Sequence, residues 1–432
     1  MPEIGNLFTK PRMPYAHTGM LTLIIMKKSK ILATLLILQS CLFSASAAQP
    51  IKFQLDFTNP LDKRVVGVPV VIPLAEYGDV KTANVYGSHD IPFQLDDLDK
   101  DGVADELVFL LNIDPGYTKH IKITLNDTIG PQTFEQKSRA YLKLRDEKKK
   151  YPEIEAITYP GNSNNSIIYN TIYGHGAVME SMLNAWRIYV DNRQSIDLYG
   201  KKVRQLELET TGFYTTPEQS AQGYGRDILW AGKSVAAGSF RGLTNGQPAT
   251  IDTVSSRTQR IIASGPIRSI IEVEDKDWEI NGKKVDMLQR YTQYGLNPYF
   301  TAEIFLKGEG ADQIFCTGVQ KIGDDGGEGF IGDNGLAGSW GTNIPEKNYP
   351  EMTETLGIGI QVDPSNLVKA REDDLNYLVE VAPDANGKIT YHVNFVSAME
   401  KNAPHDLNQW RDRLEQWQRQ VLANYPSTII PQ

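Results

Sequence analysis

The chain has 432 residues, of which 41% are hydrophobic and 22% are charged, a composition typical of a folded protein of more than one domain. Its formal net charge is −9 and its basic residues are scattered, so nucleic acid is excluded as a main partner because no basic patch is available to neutralise phosphates. Cys41 and Cys316 are the only cysteines, and neither a disulfide framework nor a cysteine-based zinc site is expected.

Residues 1–48 are interpreted as a leader that contains a secretory signal peptide. Basic residues precede an apolar run at 31–38, and small residues follow it. The run is shorter than the roughly 20 apolar residues that a permanent membrane-spanning helix needs. We therefore expect export to the periplasm or the extracellular space, with cleavage after Ala47 or Ala48, or alternatively lipid attachment at Cys41.

Residues 49–130 predict an immunoglobulin-like β-sandwich. Short β-type runs alternate with turn residues along this segment, and their spacing is typical of such a domain. The runs lie at 52–57, 64–74, 80–87, 106–113 and 120–126.

An acidic loop inside this sandwich predicts a calcium site. Its candidate ligands are Asp97, Asp99, Asp101 and Asp105, with Glu106 as an alternative to the last. Aspartates at alternating positions followed by Gly102, which permits a sharp turn, are how a loop wraps oxygens around Ca²⁺. Val108 stands where an EF-hand has its bidentate glutamate, and a strand follows rather than a helix. The loop is therefore predicted to be a strand-linked calcium loop with a structural role, and a plain acidic turn is the alternative.

Residues 131–160, a charge run bounded by prolines, predict a solvated connector, and residues 161–432 predict a second β domain. Long strands are expected at 203–210, 257–274, 283–294 and 299–306. Asn281-Gly282 is a strong signal for a two-residue hairpin turn. The glycine-rich segment 308–348 is interpreted as loops. One amphipathic helix is expected near the C-terminus, from the spacing of Leu407, Trp410, Leu414, Trp417 and Val421.

The stretch 173–201 is the candidate active site because it concentrates polar groups on a predicted strand. Residues 185–191 alternate, with an apolar face of Trp186, Ile188 and Val190 opposite a polar face of Arg187, Tyr189 and Asp191. That polar face is either a solvated outer surface or the floor of a cleft. His175 lies just before it, between two glycines that allow a ligand to approach closely, and its role is either structural or catalytic.

A second group of polar residues lies among glycines at 223–230. Candidate substrate-binding residues over both regions are Glu180, Asp191, Tyr224, Arg226, Asp227, Arg241 and Arg257. The arginines matter because a guanidinium group binds a carboxylate in a planar fork. The sequence has no HExxH, GxSxG or Walker motif, which argues against the commonest hydrolase and nucleotide-binding classes.

Several segments together resemble the family named domain of unknown function 4861. They are IYGHGAVMES, AWRIYVDNRQSIDLYGK, RTQRIIASGPIRSIIEVE, QRYTQYG, FCTGVQKIG and SWGTNIPE, and the resemblance extends over nearly the whole mature chain. It implies an all-β fold in which the N-terminal sandwich precedes a galactose-mutarotase-like super-sandwich. It also implies an exported protein of a bacterial polysaccharide-utilisation cluster, in a fold group that includes polysaccharide lyases, hydrolase domains and sugar epimerases.

The function expected is therefore that of a carbohydrate-active enzyme with a glycan substrate and no organic cofactor. A lyase acting on uronic-acid sugars would use His175 as base, Tyr189 as acid, and Arg187 or Arg226 to bind the substrate carboxylate. A glycoside hydrolase would instead use two carboxylates, for which Glu180, Asp191 and Asp227 are candidates. A glycan-binding protein without catalysis is the third hypothesis.

Overall fold

The computed structural model describes residues 49–130, 133–148, 150–323, 326–346 and 351–432. The predicted leader, including Cys41 and the cleavage sites, lies outside these residues. The described chain consists mainly of antiparallel β-strands with few and short helices, which confirms the predicted all-β class. In the described ranges, no helix combines the length and apolarity needed to cross a membrane.

The N-terminal part is a two-sheet sandwich. Its strands are β1 (Ile51–Thr58), β2 (Val65–Pro73), β3 (Thr82–Tyr86), β4 (Phe93–Asp96), β5 (Glu106–Ile113) and β6 (Thr118–Asn126), joined by the last strand of the chain, β26 (Ser427–Pro431). One sheet has the order β26-β1-β6-β3 and the other β2-β5-β4. Apolar residues of both sheets, such as Leu55, Ile72 and Phe109, form one buried core. The predicted sandwich is therefore confirmed, and the C-terminal strand adds an edge that the sequence did not indicate.

The rest of the chain forms three further sheets around a larger core. A nine-stranded sheet has the order β20-β21-β22-β25-β18-β17-β16-β15-β8, and two five-stranded sheets have the orders β12-β11-β10-β9-β7 and β14-β13-β19-β24-β23. The strands are β7 (Ser138–Tyr141), β8 (Ala156–Pro160), β9 (Gly176–Ser181), β10 (Asn184–Tyr189), β11 (Ile196–Gly200), β12 (Arg226–Asp227), β13 (Arg241–Thr244), β14 (Gln247–Ala249), β15 (Ser256–Ser264), β16 (Arg268–Ile280), β17 (Lys283–Tyr294), β18 (Tyr299–Lys307), β19 (Phe315–Gln320), β20 (Glu328–Ile331), β21 (Leu336–Asn343), β22 (Glu354–Val362), β23 (Leu367–Glu372), β24 (Asn376–Val381) and β25 (Lys388–Ser397).

Among the described residues, four α-helices accompany the sheets: α1 (Asn165–Thr171), α2 (Leu208–Thr211), α3 (Pro217–Ala221) and α4 (Leu407–Val421). Helix α4 is the amphipathic helix that the sequence predicts. It buries Trp410, Leu414 and Trp417, and Asp406 caps its N-terminus by accepting a hydrogen bond from the backbone N–H of Gln409.

Two other local predictions are also confirmed. Asn281 and Gly282 both have positive φ, +50° and +76°, and they connect β16 to β17 as a two-residue turn. Strand β18 buries every second residue, with Phe300 and Ile304 among the residues of the larger core.

The predicted strand at 257–274 is wrong in its length, because the chain turns between β15 and β16. Gly265 and Pro266 lie at the turn, and a proline cannot donate a hydrogen bond to the ladder. The side chain of Gln94 in β4 accepts hydrogen bonds from the backbone N–H groups of Ile267 and Arg268, at 2.9 and 3.0 Å. The turn is therefore fixed against the N-terminal sandwich.

The predicted strand at 203–210 is also wrong, since this segment has no strand and ends in α2. Its alternation buries no consistent face: Val203 is exposed, whereas Glu207 is buried and its carboxylate accepts a hydrogen bond from the N–H of Gly225 at 2.7 Å. The local structure is therefore determined by the tertiary contact of Glu207 and not by a row of buried apolar residues.

The prediction of loops for the glycine-rich segment 308–348 is wrong, because this segment contains β19, β20 and β21. The reason lies in close packing: a Cβ at Gly338 of β21 would lie 2.8 Å from Leu414 of α4. Gly338 therefore lets helix α4 approach the sheet and does not mark a turn. Segment 131–160, predicted as a connector, likewise contributes β7 and β8 to two of the sheets.

Candidate active site

The candidate active site is built on the β10–β11 hairpin, where Arg187 and Asp197 are directly opposite each other. The Nε and Nη2 atoms of Arg187 donate hydrogen bonds to Oδ2 of Asp197 over 3.0 and 2.7 Å. The two side chains are only 4% and 2% exposed. The predicted polar face of β10 is therefore buried beneath other residues and is not a solvated outer surface.

Asp227 is a second carboxylate bound to the same guanidinium. It lies in β12, which pairs with β11, and its Oδ2 is 3.2 Å from Nη2 of Arg187. Its side chain is 13% exposed. Asp197 receives two hydrogen bonds from Arg187 and one of 2.8 Å from the hydroxyl of Tyr189, whereas Asp227 receives one from Arg187 and one from the backbone N–H of Leu229. Asp197 is therefore the better-stabilised anion of the pair.

The surroundings of Asp227 favour its protonated form. Burial raises the pKa of Asp227 well above its usual range, the neighbouring Asp197 carboxylate raises it further, and the Arg187 guanidinium lowers it by less. One guanidinium does not fully offset two adjacent carboxylates away from water. A carboxyl group of raised pKa is suited to general acid catalysis, because its protonated form is the one that donates.

Asp227 faces a cleft of about 400 Å³. The polar and aromatic groups of its lining include Phe213, Tyr214, Arg226, Asp227, Glu346 and Glu354. Glu354 is buried and its carboxylate is bound by the guanidinium of Arg226. Glu346, by contrast, is partly exposed. The cleft therefore presents two carboxyl groups to a ligand, those of Asp227 and Glu346.

His175 is held by an aromatic stack next to this cluster. Its ring lies 3.7 Å from the ring of Tyr169 at an interplanar angle of 5°, and its Nδ1 is 2.9 Å from the carbonyl oxygen of the same tyrosine. A carbonyl oxygen only accepts, so Nδ1 carries the hydrogen and Nε2 is left as the basic nitrogen of the neutral ring. Burial lowers the pKa of His175 to about 4, so the imidazole is neutral at pH 7.

Tyr214 connects the histidine to the cleft. Its hydroxyl accepts a hydrogen bond of 3.0 Å from Nη1 of Arg187, and its ring lies 6.5 Å from that of His175 in an edge-to-face arrangement. Nη1 of Arg187 also donates to the carbonyl oxygen of Gly174, at 3.3 Å, which ties the histidine turn to β10. His175, Arg187, Tyr189 and Asp227 thus lie in one connected cluster.

Other residues predicted from the sequence lie outside this cluster. Glu180 forms a fully buried ion pair with Lys201, at 2.7 Å, and Asp191 is bound by Arg193 at 2.6 Å. Tyr224 is partly buried and is absent from the lining of the cleft.

Two of the predicted arginines are buried in separate structural contacts. Arg257 forms an ion pair with Asp275 at 2.7 Å. Arg241 donates to the carbonyl oxygen of Phe240 and to the hydroxyl of Ser195, at 2.9 and 3.2 Å. Burial lowers the pKa of Arg241 to about 10. Neither guanidinium lies in the described cleft.

Tyr169, Asp197, Tyr214 and Glu346 are residues of the site that the sequence patterns did not indicate. Asp197 could have been identified from the sequence, because a hairpin centred on Asn192 places residue 197 opposite residue 187. The observed register has this pairing. Tyr214 and Glu346 reach the site through the fold, and no local pattern identifies them.

The acidic loop lies between β4 and β5, as a strand-linked loop should. Carboxylate oxygens of Asp97, Asp99 and Asp105 lie within 4.8 Å of one another. Asp101 is not part of this group, and its Oδ1 accepts a hydrogen bond of 2.8 Å from the N–H of Val103. Carboxylate oxygens are the ligands that Ca²⁺ prefers, and the group contains three of the four predicted ligands.

The fold and the site define a class: an all-β protein in which a buried arginine-carboxylate cluster opens onto a cleft. The chain belongs to the family described as Domain of unknown function (DUF4861), whose model matches residues 57–424. The resemblance stated from the sequence motifs is thereby confirmed.

Two solved structures show limited similarity to the chain. One is a protein in glycosyl hydrolase family 38 from Enterococcus faecalis, with a TM-score of 0.42, 8% identity, and coverage of 88% of this chain and 47% of that chain. The other is an alpha-mannosidase from Enterococcus faecalis V583, with a TM-score of 0.44, 9% identity, and coverage of 88% and 46%. The chain thus spans less than half the length of either protein. No curated protein matches the chain.

Proposed function

We propose that the protein is a carbohydrate-active enzyme that hydrolyses a glycosidic bond, with Asp227 as the proton donor and Glu346 as the second carboxylate. The observation that carries this proposal is a carboxyl group of raised pKa, Asp227, in a cleft that also holds Glu346. Glycoside hydrolases use two carboxyl groups that flank the scissile bond, one protonated and one ionised. The family resemblance, which implies a protein of polysaccharide-utilisation clusters, supports the choice of a glycan substrate.

In this mechanism Asp227 gives its proton to the leaving oxygen while Glu346 acts on the opposite side of the sugar, as a nucleophile or as the base that activates water. Arg187 and Asp197 are positioning residues. Arg187 orients the Asp227 carboxyl group through a hydrogen bond, and Asp197 supplies the negative charge that raises the Asp227 pKa. Glu354, which is bound to Arg226, has no free role as an acid or base in this scheme.

The geometry gives less support to a lyase that uses Arg187. Its guanidinium already binds the side chains of Asp197 and Asp227 and is only 4% exposed, so a substrate carboxylate would have to displace one of them. A specific observation nevertheless keeps a uronate lyase as the second candidate. His175 is neutral with Nε2 as the basic nitrogen, and Arg193, whose side chain is 40% exposed, lies over the rings of Tyr169 and Tyr189. In that alternative Arg193, not Arg187, binds the uronate.

Product analysis with two variants separates the candidates. Wild-type protein is incubated with a panel of neutral and uronic-acid polysaccharides, and new reducing ends and ultraviolet absorbance are recorded together. If the protein is a hydrolase, new reducing ends should form without ultraviolet absorbance. Their formation should be lost in Asp227→Asn and retained in His175→Asn. Absorbance from an unsaturated product, lost in His175→Asn and retained in Asp227→Asn, would instead establish the lyase.

Export and a structural Ca²⁺ ion complete the proposal. Support for export comes from the signal-like segment before residue 49, and support for calcium comes from the grouped carboxylates of Asp97, Asp99 and Asp105. Mass spectrometry of the protein recovered from its native host tests the first part. An N-terminus after Ala47 or Ala48 is expected, a lipidated Cys41 is the alternative, and an intact leader on a cytoplasmic protein contradicts both.

A further inference from the structure

Two cavities beside helix α4 have three lining residues in common, Leu183, Arg204 and Arg413. Their volumes are about 410 and about 310 Å³. Arg413 lies in α4, and Arg204 lies in the segment between β11 and α2. No residue that lines the cleft at Asp227 lines either of these cavities. The two arginines therefore belong to a part of the molecule that the proposed mechanism does not use.

The guanidinium groups of Arg204 and Arg413 are both unpaired. Within the part of the chain that the structure describes, neither group takes part in a hydrogen bond or an ion pair. Both arginines lower the pKa of the Glu400 carboxyl group, so their charges converge on one place. Two like charges that converge without an anion between them repel each other, and a bound oxyanion would relieve this repulsion.

Lysines add further positive charge on the side of the smaller cavity. Lys201, Lys202 and Lys401 line it together with the two arginines. Lys201 is neutralised by its buried ion pair with Glu180. The ammonium group of Lys202 instead donates to two uncharged oxygens of Ser220, at 2.7 and 3.3 Å, and Lys401 is exposed. The charges of Lys202 and Lys401 are therefore not offset by these contacts.

Negative charge is scarcer in the two linings. Their acidic residues are Glu400 in the smaller cavity and Asp412 in the larger one. Burial raises the pKa of Glu400 to about 7, so this carboxyl group carries little charge in weakly acidic solution. Asp412 is exposed to solvent, which screens its charge. An excess of positive charge at this place is unusual in a protein whose formal net charge is −9.

A second observation also indicates a ligand in the larger cavity. Asn394 and Trp417 line it and are only 2% and 5% exposed. Oδ1 of Asn394 has no hydrogen-bond donor, and Nε1 of Trp417 has no acceptor, among the described residues. Buried polar groups are normally paired. This wall therefore retains one acceptor and one donor that the described chain does not satisfy.

We propose that Arg204 and Arg413 form a binding site for an oxyanion group, a carboxylate, sulfate or phosphate, apart from the catalytic cleft. Guanidinium groups bind such anions through paired N–H donors. An acidic sugar fits the site best, because its hydroxyl groups can also partner Asn394 and Trp417, whereas a free inorganic oxyanion supplies the charge alone. The site is independent of the proposed hydrolysis, since it shares no lining residue with the cleft.

Anion binding is measured on the mature protein by calorimetry and by the shift in Tm. The probes are sodium sulfate, sodium phosphate, galacturonate, glucose 6-sulfate and neutral glucose, each compared with sodium chloride at equal ionic strength. We expect the oxyanions to raise the Tm more than chloride does, because an anion that binds only the folded protein stabilises it. Glucose should have no such effect.

Arg204→Gln and Arg413→Gln should each weaken oxyanion binding about tenfold or more, since each removes a charge-assisted hydrogen bond. The double variant should bind no better than it binds chloride. Each single variant is a test by itself, and both should keep the wild-type Tm in chloride because neither guanidinium is paired. Arg419→Gln is the matched control: Arg419 is an exposed arginine of α4 that lines neither cavity, and its replacement should leave affinity unchanged.

The probes distinguish the two sources of the anion. Tighter binding of galacturonate or glucose 6-sulfate than of inorganic sulfate, lost in the double variant, supports an acidic sugar as the ligand. Equal binding of sulfate and the acidic sugars, also lost in the double variant, supports the oxyanion site and identifies the free anion as sufficient. The proposal is overturned when no oxyanion binds better than chloride, or when the folded double variant binds as wild type does.

Failure of the hydrolase proposal would give a different result. Asp227→Asn should keep its full affinity for the oxyanions whether or not the wild-type protein cleaves a glycan. Loss of oxyanion binding in Asp227→Asn would place the anion in the cleft and contradict a separate site at Arg204 and Arg413.

Discussion

Arg187 and Asp197 are directly opposite each other on two hydrogen-bonded strands, and the guanidinium donates two hydrogen bonds, of 3.0 and 2.7 Å, to one carboxylate oxygen. Both side chains are almost completely buried. Asp227 contacts the same guanidinium, so its pKa is raised by the Asp197 carboxylate and lowered by the Arg187 guanidinium.

Removal of Arg187 should destabilise the protein, not merely reduce activity. Arg187→Ala leaves the Asp197 charge buried without its cation, and loss of one partner of a buried pair typically costs about 3–5 kcal/mol. Lys284→Ala is the matched control, because Lys284 and Asp277 form an exposed pair worth at most about 1 kcal/mol. Denaturant unfolding measures both variants. Equal stability of the two would show that the buried pair is not structurally important.

The all-β class, the β16–β17 turn and helix α4 were predictable because each depends on local chemistry. Asn281 and Gly282 tolerate positive φ, and Trp410, Leu414 and Trp417 recur at the helical period. The error at Gly338 has a physical reason. A glycine that permits close packing against Leu414 cannot be distinguished, in sequence alone, from a glycine in a loop.

The candidate site was only partly predictable. The alternation of β10 predicts that Arg187 and Tyr189 share one face of the strand, because strand alternation is local, and both side chains contact Asp197. Asp197 can be assigned to the site only when the hairpin register is known. Glu346 can be assigned only when the position of β12 beside the segment after β21 is known. The sequence also cannot show that Arg187 is already paired with a carboxylate of the same hairpin. Because of this ion pair, we assign Arg187 a positioning role and not substrate binding.

Calcium should stabilise the N-terminal sandwich. Asp97, Asp99 and Asp105 repel one another when no cation offsets their charge, and an ion that binds only the folded state raises its stability. We expect a chelator to lower the Tm, added Ca²⁺ to restore it, and Asp99→Asn to abolish this response.

Asp90→Asn serves as the control for calcium, because Asp90 is an exposed acidic residue outside the group. The chelator should lower the Tm of Asp90→Asn as much as it lowers the Tm of wild type. A wild-type Tm that is unchanged by the chelator would identify the loop as a plain acidic turn.

His392 should make the protein less stable in acid. Its Nδ1 is 2.9 Å from the hydroxyl oxygen of Thr301, and burial lowers the pKa of His392 from 6.5 to about 4. Between these two values the unfolded chain takes up a proton that the folded protein does not, so this contribution to stability falls as the pH is lowered from 6.5 towards 4. His392→Asn should reduce the difference in unfolding free energy between pH 7 and pH 5.

Measurements above pH 7.5 provide the internal control for this prediction, because His392 is then neutral in both states. There the difference between wild type and His392→Asn should be independent of pH. The prediction fails when the variant and wild type lose stability in parallel from pH 7 to pH 5.

The pH dependence of activity should report the Asp227 proton. Since the reaction needs Asp227 protonated, kcat/KM should fall as the pH rises through the Asp227 pKa. Asp197→Asn removes a charge that raises this pKa and leaves Arg187 to pair with Asp227 alone, so the alkaline limb should move to lower pH. A limb that stays in place or moves upward in a folded Asp197→Asn variant would assign it to another group.

The role of Asp227 as proton donor is tested most directly by the leaving-group dependence of the Asp227→Asn variant. With a natural glycosidic leaving group, which needs a proton, kcat/KM should fall by about 10²–10⁴ relative to wild type. With an activated aryl glycoside of the same sugar, whose leaving group needs no proton, the loss should be much smaller. An equal loss on both substrates, or no loss on either, would contradict the assignment of Asp227 as the catalytic acid.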